Sequence, residues 1–285
     1  MLSRRDLLKS TLAAGAVGAI GSTVFVPLAA KAKAPLVGTQ APGYYRVMVG
    51  DVEVTALSDG AAQFPIADLY VNTTPEQARL ALANAFQGTP TYLSVNAYLL
   101  NFGDRLVLLD AGTSDLMGPA LGKLPANMIA SGYHPDQVDD VVITHIHPDH
   151  TGGLTLAGNK VFANATVHVP EADAAFWLSA ENKATAPEDA KAFFDQAVAA
   201  LTPYIDSGKL VKYAPDAPAI EGMVNTTFRP GHTPGHSALW IESKGEKFVY
   251  WGDITHGDVV QFDDPNIAIA FDGDTDMAIK SREAA

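Results

Sequence analysis

The period of the hydrophobic pattern changes several times along the chain. Between Val47 and Leu57 two short apolar runs flank Gly50-Asp51, a pair suited to a hairpin turn. Tyr92–Asn101 and Arg105–Leu109 repeat this arrangement around Gly103-Asp104. Leu121–Gly132 reads as a helix that stops at glycine, Val141–Thr144 as a short buried strand, and Thr166–Val169 as another strand. Glu171–Ala180 and Pro187–Leu201 carry helical spacing, the first with acids in its opening turn. Lys209–Tyr213, Thr226–Arg229, Ser237–Glu242 and Phe248–Trp251 return to strand character, and Gly273–Ala285 begins a helix with Asp272 or Asp274 as its cap. Two groups of strands, each followed by helices, predict one α/β domain in which two packed sheets are flanked by helices.

The N-terminus departs from that pattern. Arg4-Arg5 precede a weakly apolar stretch from Thr11 to Ala30, which is rich in Ala and Gly and contains Pro27. Small residues then alternate with lysine in Ala30-Lys31-Ala32-Lys33-Ala34. A basic head, a short apolar run and an A-x-A ending predict a signal peptide, and the paired arginines followed by Leu7-Leu8-Lys9 resemble a twin-arginine export signal. Residues 1–34 are therefore expected to be a leader and 35–285 the folded domain, periplasmic or secreted, with no stable membrane association once the leader is removed.

Charge and composition narrow the functions. Of 19 basic and 32 acidic side chains, residues 1–34 hold five and one, so the remainder carries 14 and 31, a formal charge of −17. Such a chain repels phosphate backbones, which argues against a nucleic-acid partner and for a small-molecule substrate. Cysteine is absent, which excludes disulfides, thiolate metal ligands and a cysteine nucleophile.

The chemistry concentrates in three segments. Thr144-His145-Ile146-His147-Pro148-Asp149-His150-Thr151-Gly152-Gly153 places four potential ligands within six residues at the end of a strand. Alternate residues of an extended segment face one side, so His145 and His147 reach one ion, while Asp149 and His150 follow the bend at Pro148 and turn toward a second. Imidazole nitrogen and carboxylate oxygen suit zinc and other first-row divalent ions. The second segment, Arg229-Pro230-Gly231-His232-Thr233-Pro234-Gly235-His236, again sets histidine on a tight loop after a strand, and the third, Tyr250-Trp251-Gly252-Asp253-Ile254-Thr255-His256, sets a carboxylate at a strand end. Five of the eight histidines fall in the first two segments. No G-x-S-x-G elbow is present, so a serine nucleophile is not expected.

In that order, H-x-H-x-D-H, G-H-T-P-G-H and G-D resemble the signature of the metallo-β-lactamase superfamily, over a span from about Ala41 to the C-terminus. The resemblance implies a four-layer αββα sandwich. It also implies a first metal on His145, His147 and His232, a second on Asp149 and His150, and Asp253 bridging them, with Asp149 and Asp253 as the catalytic carboxylates. Leu109-Asp110-Ala111-Gly112 matches the superfamily's early Asp-x-Gly turn, where Asp110 would orient a ligand. His236 and His256 would orient ligands or contact substrate. Ala41–Arg46, Thr55–Gly60, Glu171–Asp173, Phe176–Ser179 and Val260–Pro265 look like methyl parathion hydrolase and its relatives, a group of organophosphate, lactone and ester hydrolases. That likeness implies a leaving-group pocket with Trp177 and Phe194, and with Met117 where the family has phenylalanine. Relatives are often dimers, and the resemblance admits a homodimer.

One departure stands out. The family supplies a further histidine to the second metal from a later strand, and no histidine follows His256 here. The expectation is a sequence lacking the C-terminal strand or strands of the sandwich. The alternative is a second metal with fewer ligands, with His256 substituting. The expected activity is hydrolysis of a neutral ester-like substrate (lactone, aryl ester or organophosphate triester) by hydroxide held between two divalent ions, with Zn the expected metal. β-Lactam hydrolysis, iron-dependent redox chemistry and non-catalytic metal binding are the rivals.

Overall fold

The computed structural model describes residue 34 and residues 36–285, so the expected leader lies outside the described residues except for Ala34. Ala41–Ala285 forms a compact unit built on two sheets. The larger has seven strands in chain order: β1 Tyr44–Val49, β2 Val52–Phe64, β3 Thr91–Asn101, β4 Leu106–Leu109, β5 Asp140–Val142, β6 Thr166–Pro170 and β7 Leu210–Tyr213. The first three pairings are antiparallel; those from β4 to β7 are parallel. The smaller is an antiparallel ladder of β8 Asn225–Phe228, β9 Ser237–Ser243 and β10 Glu246–Tyr250.

Alternating burial along the strands gives each sheet an inner face. Val52, Val54, Leu100, Val107, Leu109 and Val142 of the large sheet meet Leu239 and Ile241 of the small one, with Tyr213 and Val224 in the same buried cluster. The opposite face of the large sheet, through Leu57, Leu99, Leu108, Val141 and Val167, packs against α2 Leu124–Ser131, α3 Glu171–Trp177 and α4 Lys191–Asp206. Helices are present here because parallel strands require crossovers, and a crossover helix buries its apolar stripe on the sheet it spans. A third apolar cluster joins Ile66, Tyr70, Ala78 and Leu82, around α1 Pro75–Asn84, to Val260 and Ile269. The C-terminal α5 Thr275–Glu283 is capped by Asp274, whose side chain accepts from the Met277 amide, as the sequence allowed. No helix among the described residues is long and apolar enough to cross a membrane.

Two elements run beyond the bounds that the sequence predicts. The strand expected to end at Leu57 runs on to Phe64 through a register shift between Ser58 and Gly60. The irregularity turns Asp59 inward, where its carboxylate accepts from the Thr113 amide and hydroxyl, the Gly122 amide and the Leu124 amide. The helix expected over 187–201 starts at Lys191 and continues to Asp206, carrying Pro203 in its last turn, because Leu201 and Tyr204 bury against the sheet and draw the helix onward.

Candidate metal centre

The three chemical segments all leave the C-terminal ends of strands. His145, His147, Asp149 and His150 follow β5, His232 follows β8, and Asp253 follows β10. The apposed sheets bring these ends together, so residues more than a hundred positions apart share one cavity. Pro148–Thr151 coils into a single helical turn that carries Asp149 and His150, and the His150 ring lies 4.0 Å from that of His145.

The geometry divides into two groups that share one carboxylate. His147 Nδ1 lies 3.2 Å from His145 Nε2 and 3.0 Å from His232 Nε2, three imidazole nitrogens converging on one point. His150 Nε2 faces Asp149 Oδ2 at 3.4 Å and Asp253 Oδ1 at 3.2 Å. The other Asp253 oxygen, Oδ2, faces His256 at 3.1 Å, His232 at 3.5 Å and His145 at 4.0 Å. Asp253 therefore reaches both groups, one oxygen to each.

Protonation fits cation binding. Burial, followed by the neighbouring imidazoles, holds His145 and His232 well below the ordinary histidine pKa, and burial takes His147 down to about 4. These rings are neutral at pH 7, with lone pairs available. His150 is the opposite case: burial alone would lower it, but the carboxylates of Asp149, Asp253 and Asp110 together raise it well above the ordinary value. Burial likewise opposes ionisation of Asp253, and His150 and His256 overcome it, holding that carboxyl well below the usual range. His150 Nε2 thus lies between two carboxylates, in a position where a divalent ion would bind in place of a proton. Ligand type, convergence and charge all fit divalent metals at this centre.

A surrounding shell fixes these groups. Asp110 Oδ2 accepts from His150 Nδ1 at 2.7 Å, the Thr144 hydroxyl at 2.8 Å and the Tyr250 hydroxyl at 2.8 Å, while Oδ1 takes the Thr144 amide. His236 is clamped between the Arg229 carbonyl, at 3.0 Å from Nδ1, and the Asp253 amide, which donates to Nε2 at 2.9 Å. Its role is to hold the Asp253 loop, and burial lowers its pKa to about 4. His256 lies against Asp253 and His232 and joins them in a third set of convergent donor atoms.

Sequence reasoning missed two carboxylates. Asp272, expected only as a cap, has a fully buried side chain that meets His232 Nδ1 at 3.0 Å, with Arg282 behind it at 3.4 Å. Asp173 is also fully buried, against the loops on either side. The acidic residue of a carboxylate–histidine pair is distant in sequence here, so only α5 and its preceding loop reveal it.

The expected pocket residues separate. The Trp177 ring is 5.3 Å from that of His147. Phe194 is only 2% exposed and packs behind Trp177 and Phe176 in the core. Helix α4 presents the adjacent Phe193 instead, 43% exposed and 6.1 Å from the His147 ring. Met117 is 38% exposed on the loop secured by Asp59, where the neighbouring Leu116 packs beside Gly152.

Comparison with known proteins agrees with this geometry. The sequence profile described as the metallo-beta-lactamase superfamily matches residues 90–285, and that of the TAT (twin-arginine translocation) pathway signal sequence matches residues 1–21, an address for export. The chain is 28% identical over 189 residues to a ribonuclease of Thermus thermophilus, covering 63% of this chain and 39% of the relative. It is 24% identical over 172 residues to a beta-lactamase-like protein 2 homolog of Caenorhabditis elegans, covering 60% and 48%. The chain thus spans less than half the length of these curated relatives. Among solved structures it is similar to the hydrolase AbOPH of the beta lactamase superfamily, with a TM-score of 0.81 and 36% identity over 86% of this chain and 85% of that one. It shares its fold with AidC, a dizinc quorum-quenching lactonase, with a TM-score of 0.76 and 24% identity over 85% of each chain.

Proposed function

Since the chain belongs to the metallo-beta-lactamase superfamily, we propose that it is an exported metal-dependent hydrolase with a two-ion centre, acting on neutral ester-like substrates such as lactones, aryl esters or organophosphate triesters. The observation that carries this reading is Asp253, whose two oxygens face two separate donor groups. His145, His147 and His232 would hold one ion, Asp149 and His150 the other, and Asp253 both. Divalent ions, zinc by the donor set, would supply Lewis acidity that lowers the pKa of water and polarises the scissile bond.

The chain's own residues do the rest. Asp110 and Asp272 bond the remote nitrogens of His150 and His232, fixing ring orientation and tautomer. Asp149 and Asp253, side chains 29% and 20% exposed, are the carboxylates open to the cavity, and Asp253 would help position the attacking water. Trp177 and Phe193 form an apolar wall beside His147 that suits an acyl or aryl group and excludes bulk water. Among the described residues no lysine or arginine side chain bonds directly to the ligand cluster, and an apolar wall flanks it; this supports neutral substrates over RNA, the substrate class suggested by the ribonuclease relative.

The test is elemental analysis of the purified protein, with turnover of a lactone, an aryl ester, a phosphotriester and a cephalosporin. The expectation is two equivalents of metal and hydrolysis of at least one of the first three. Replacing His147 by alanine should remove metal and turnover together; undiminished turnover in that variant would end the proposal.

A further inference from the structure

We infer that Asp173 is a positioning residue that locks the two histidine loops to each other and thereby sets the affinity of the centre for metal, although it touches no ligand. The inference rests on the metal-centre reading above. Asp173 lies in α3, and its side chain is fully buried between the segments that carry His147 and His232. Its Oδ2 accepts from the Ile146 amide at 2.7 Å and from the Thr233 hydroxyl at 2.9 Å, and its Oδ1 accepts from the Gly235 amide at 2.5 Å.

The donors are informative. Ile146 is the residue between His145 and His147, so its amide fixes the strand end from which both imidazoles project. Thr233 follows His232, and Gly235 precedes His236, which in turn holds the Asp253 amide. One carboxylate therefore ties down the backbone on both sides of the 3.0 Å approach between His147 and His232. The fit is close: a Cβ at Gly235 would come within 2.6 Å of the Asp173 amide nitrogen and 2.8 Å of Pro170 Cβ, so this loop reaches the carboxylate only as glycine.

The hydrogen bonds satisfy Asp173 without any cation, since all three donors are neutral. Burying a carboxylate with no positive partner is unfavourable, and nothing in the packing of α3 calls for it: Ala174 and Trp177 already anchor the helix in the core. What the carboxylate supplies is two acceptor oxygens at fixed separation, each assigned to loop donors. An amide at the same position offers one acceptor oxygen and sets an N–H₂ group against a donor. An apolar residue offers none. The two loops would then be joined by packing alone, and the histidines would have to be reordered by each ion that binds.

The experiment measures zinc affinity of the chelator-stripped full-length protein by competition with a chromogenic chelator, with circular dichroism to check folding. D173N is expected to fold and to lose affinity on the order of 10–100-fold, the range for residues that orient ligands from behind. T233V removes one of three donors and is expected to lose less. D140N is the control. Asp140 is equally buried but stands at the far, N-terminal end of β5, paired with Arg105 and His168. It is expected to reduce stability while leaving zinc affinity at the wild-type value. Wild-type affinity in D173N, or an equal loss in D140N, overturns the inference; if D173N does not fold, wild-type affinity in T233V overturns it instead. Failure of the wild-type protein to take up zinc or any other divalent ion would defeat the metal-centre reading itself, an outcome distinct from either.

Discussion

His236 shows how much the site depends on residues that bind no ion. Its ring is held between two backbone groups, and burial takes its pKa to about 4 from an ordinary 6.5. The unfolded chain takes up a proton below pH 6.5 and the folded one does not until about pH 4. Its contribution to stability is therefore complete above pH 6.5 and is lost as the pH falls through that window, by about 3 kcal/mol at most. Asp173 has the reverse sign: burial raises it from 3.8 to about 6, so it favours the fold below pH 3.8 and loses that contribution as pH rises to 6. Urea unfolding of metal-free wild type and H236Q should show a stability difference that shrinks by about 3 kcal/mol between pH 7 and pH 4. A difference independent of pH would mean that the ring is not held neutral. The same contrast explains what was legible. His145, His147, Asp149 and His150 lie within one short stretch, and His232 and Asp253 each follow a strand beside glycine, so their role is written locally. Asp173 and Asp272 stand beside other acids in helical and loop sequence, and only the third dimension shows what they hold. Phe193 and Phe194 are adjacent, and sequence periodicity alone does not say which ring faces the site.

At the scale of elements, tight turns deliver the ligands where helices and strands would carry them past each other. Gly153 ends the first motif, and a Cβ there would come within 1.8 Å of the Ala111 carbonyl oxygen, in the Asp110 turn. The contact seats the His150 turn on the loop that bears its carboxylate partner, a seat also made by the hydrogen bond from the Ala111 amide to the His150 carbonyl. G153A should push these loops apart, costing about 2–4 kcal/mol of stability and lowering turnover more than it raises KM, because ligand geometry changes while the aromatic wall does not. Thermal melting and steady-state kinetics check both parts; a variant matching wild type in both would show that the loops have slack. Most strands and the helix ending at Gly132 were readable, because apolar alternation and turn residues agreed. Helix α1 was not anticipated, although Thr74 and Gln77 form a capping box at its start. Its apolar face is small, Ala78 and Leu82, so periodicity gave little sign of it. The continuation of β2 to Phe64 was hidden by Ser58-Asp59-Gly60, which look like a turn but form a bulge that turns Asp59 toward the 113–124 loop.

Over the whole molecule, the centre is where the two sheets are fastened together. The candidate metal ligands follow β5 in the large sheet and β8 and β10 in the small one, and an apolar cluster fills the space between the sheets. An ion bound by His147 and His232 joins the sheets, and the unfolded chain has no comparable site. Binding to the folded state alone stabilises it by about 2.7 kcal/mol when free ion is a hundred times its dissociation constant. For a domain of this size that is a shift on the order of 5–10 °C in Tm. Stripping the protein with a chelator should lower Tm by that amount, zinc should restore it, and the H147A protein should respond to neither. If stripping removes metal with no change in Tm, the ions bind without bracing the sheets, and the fold is set before they arrive. The export signal gives the result a consequence: a twin-arginine route carries folded proteins, so ions that brace the fold would be acquired before the chain crosses the membrane.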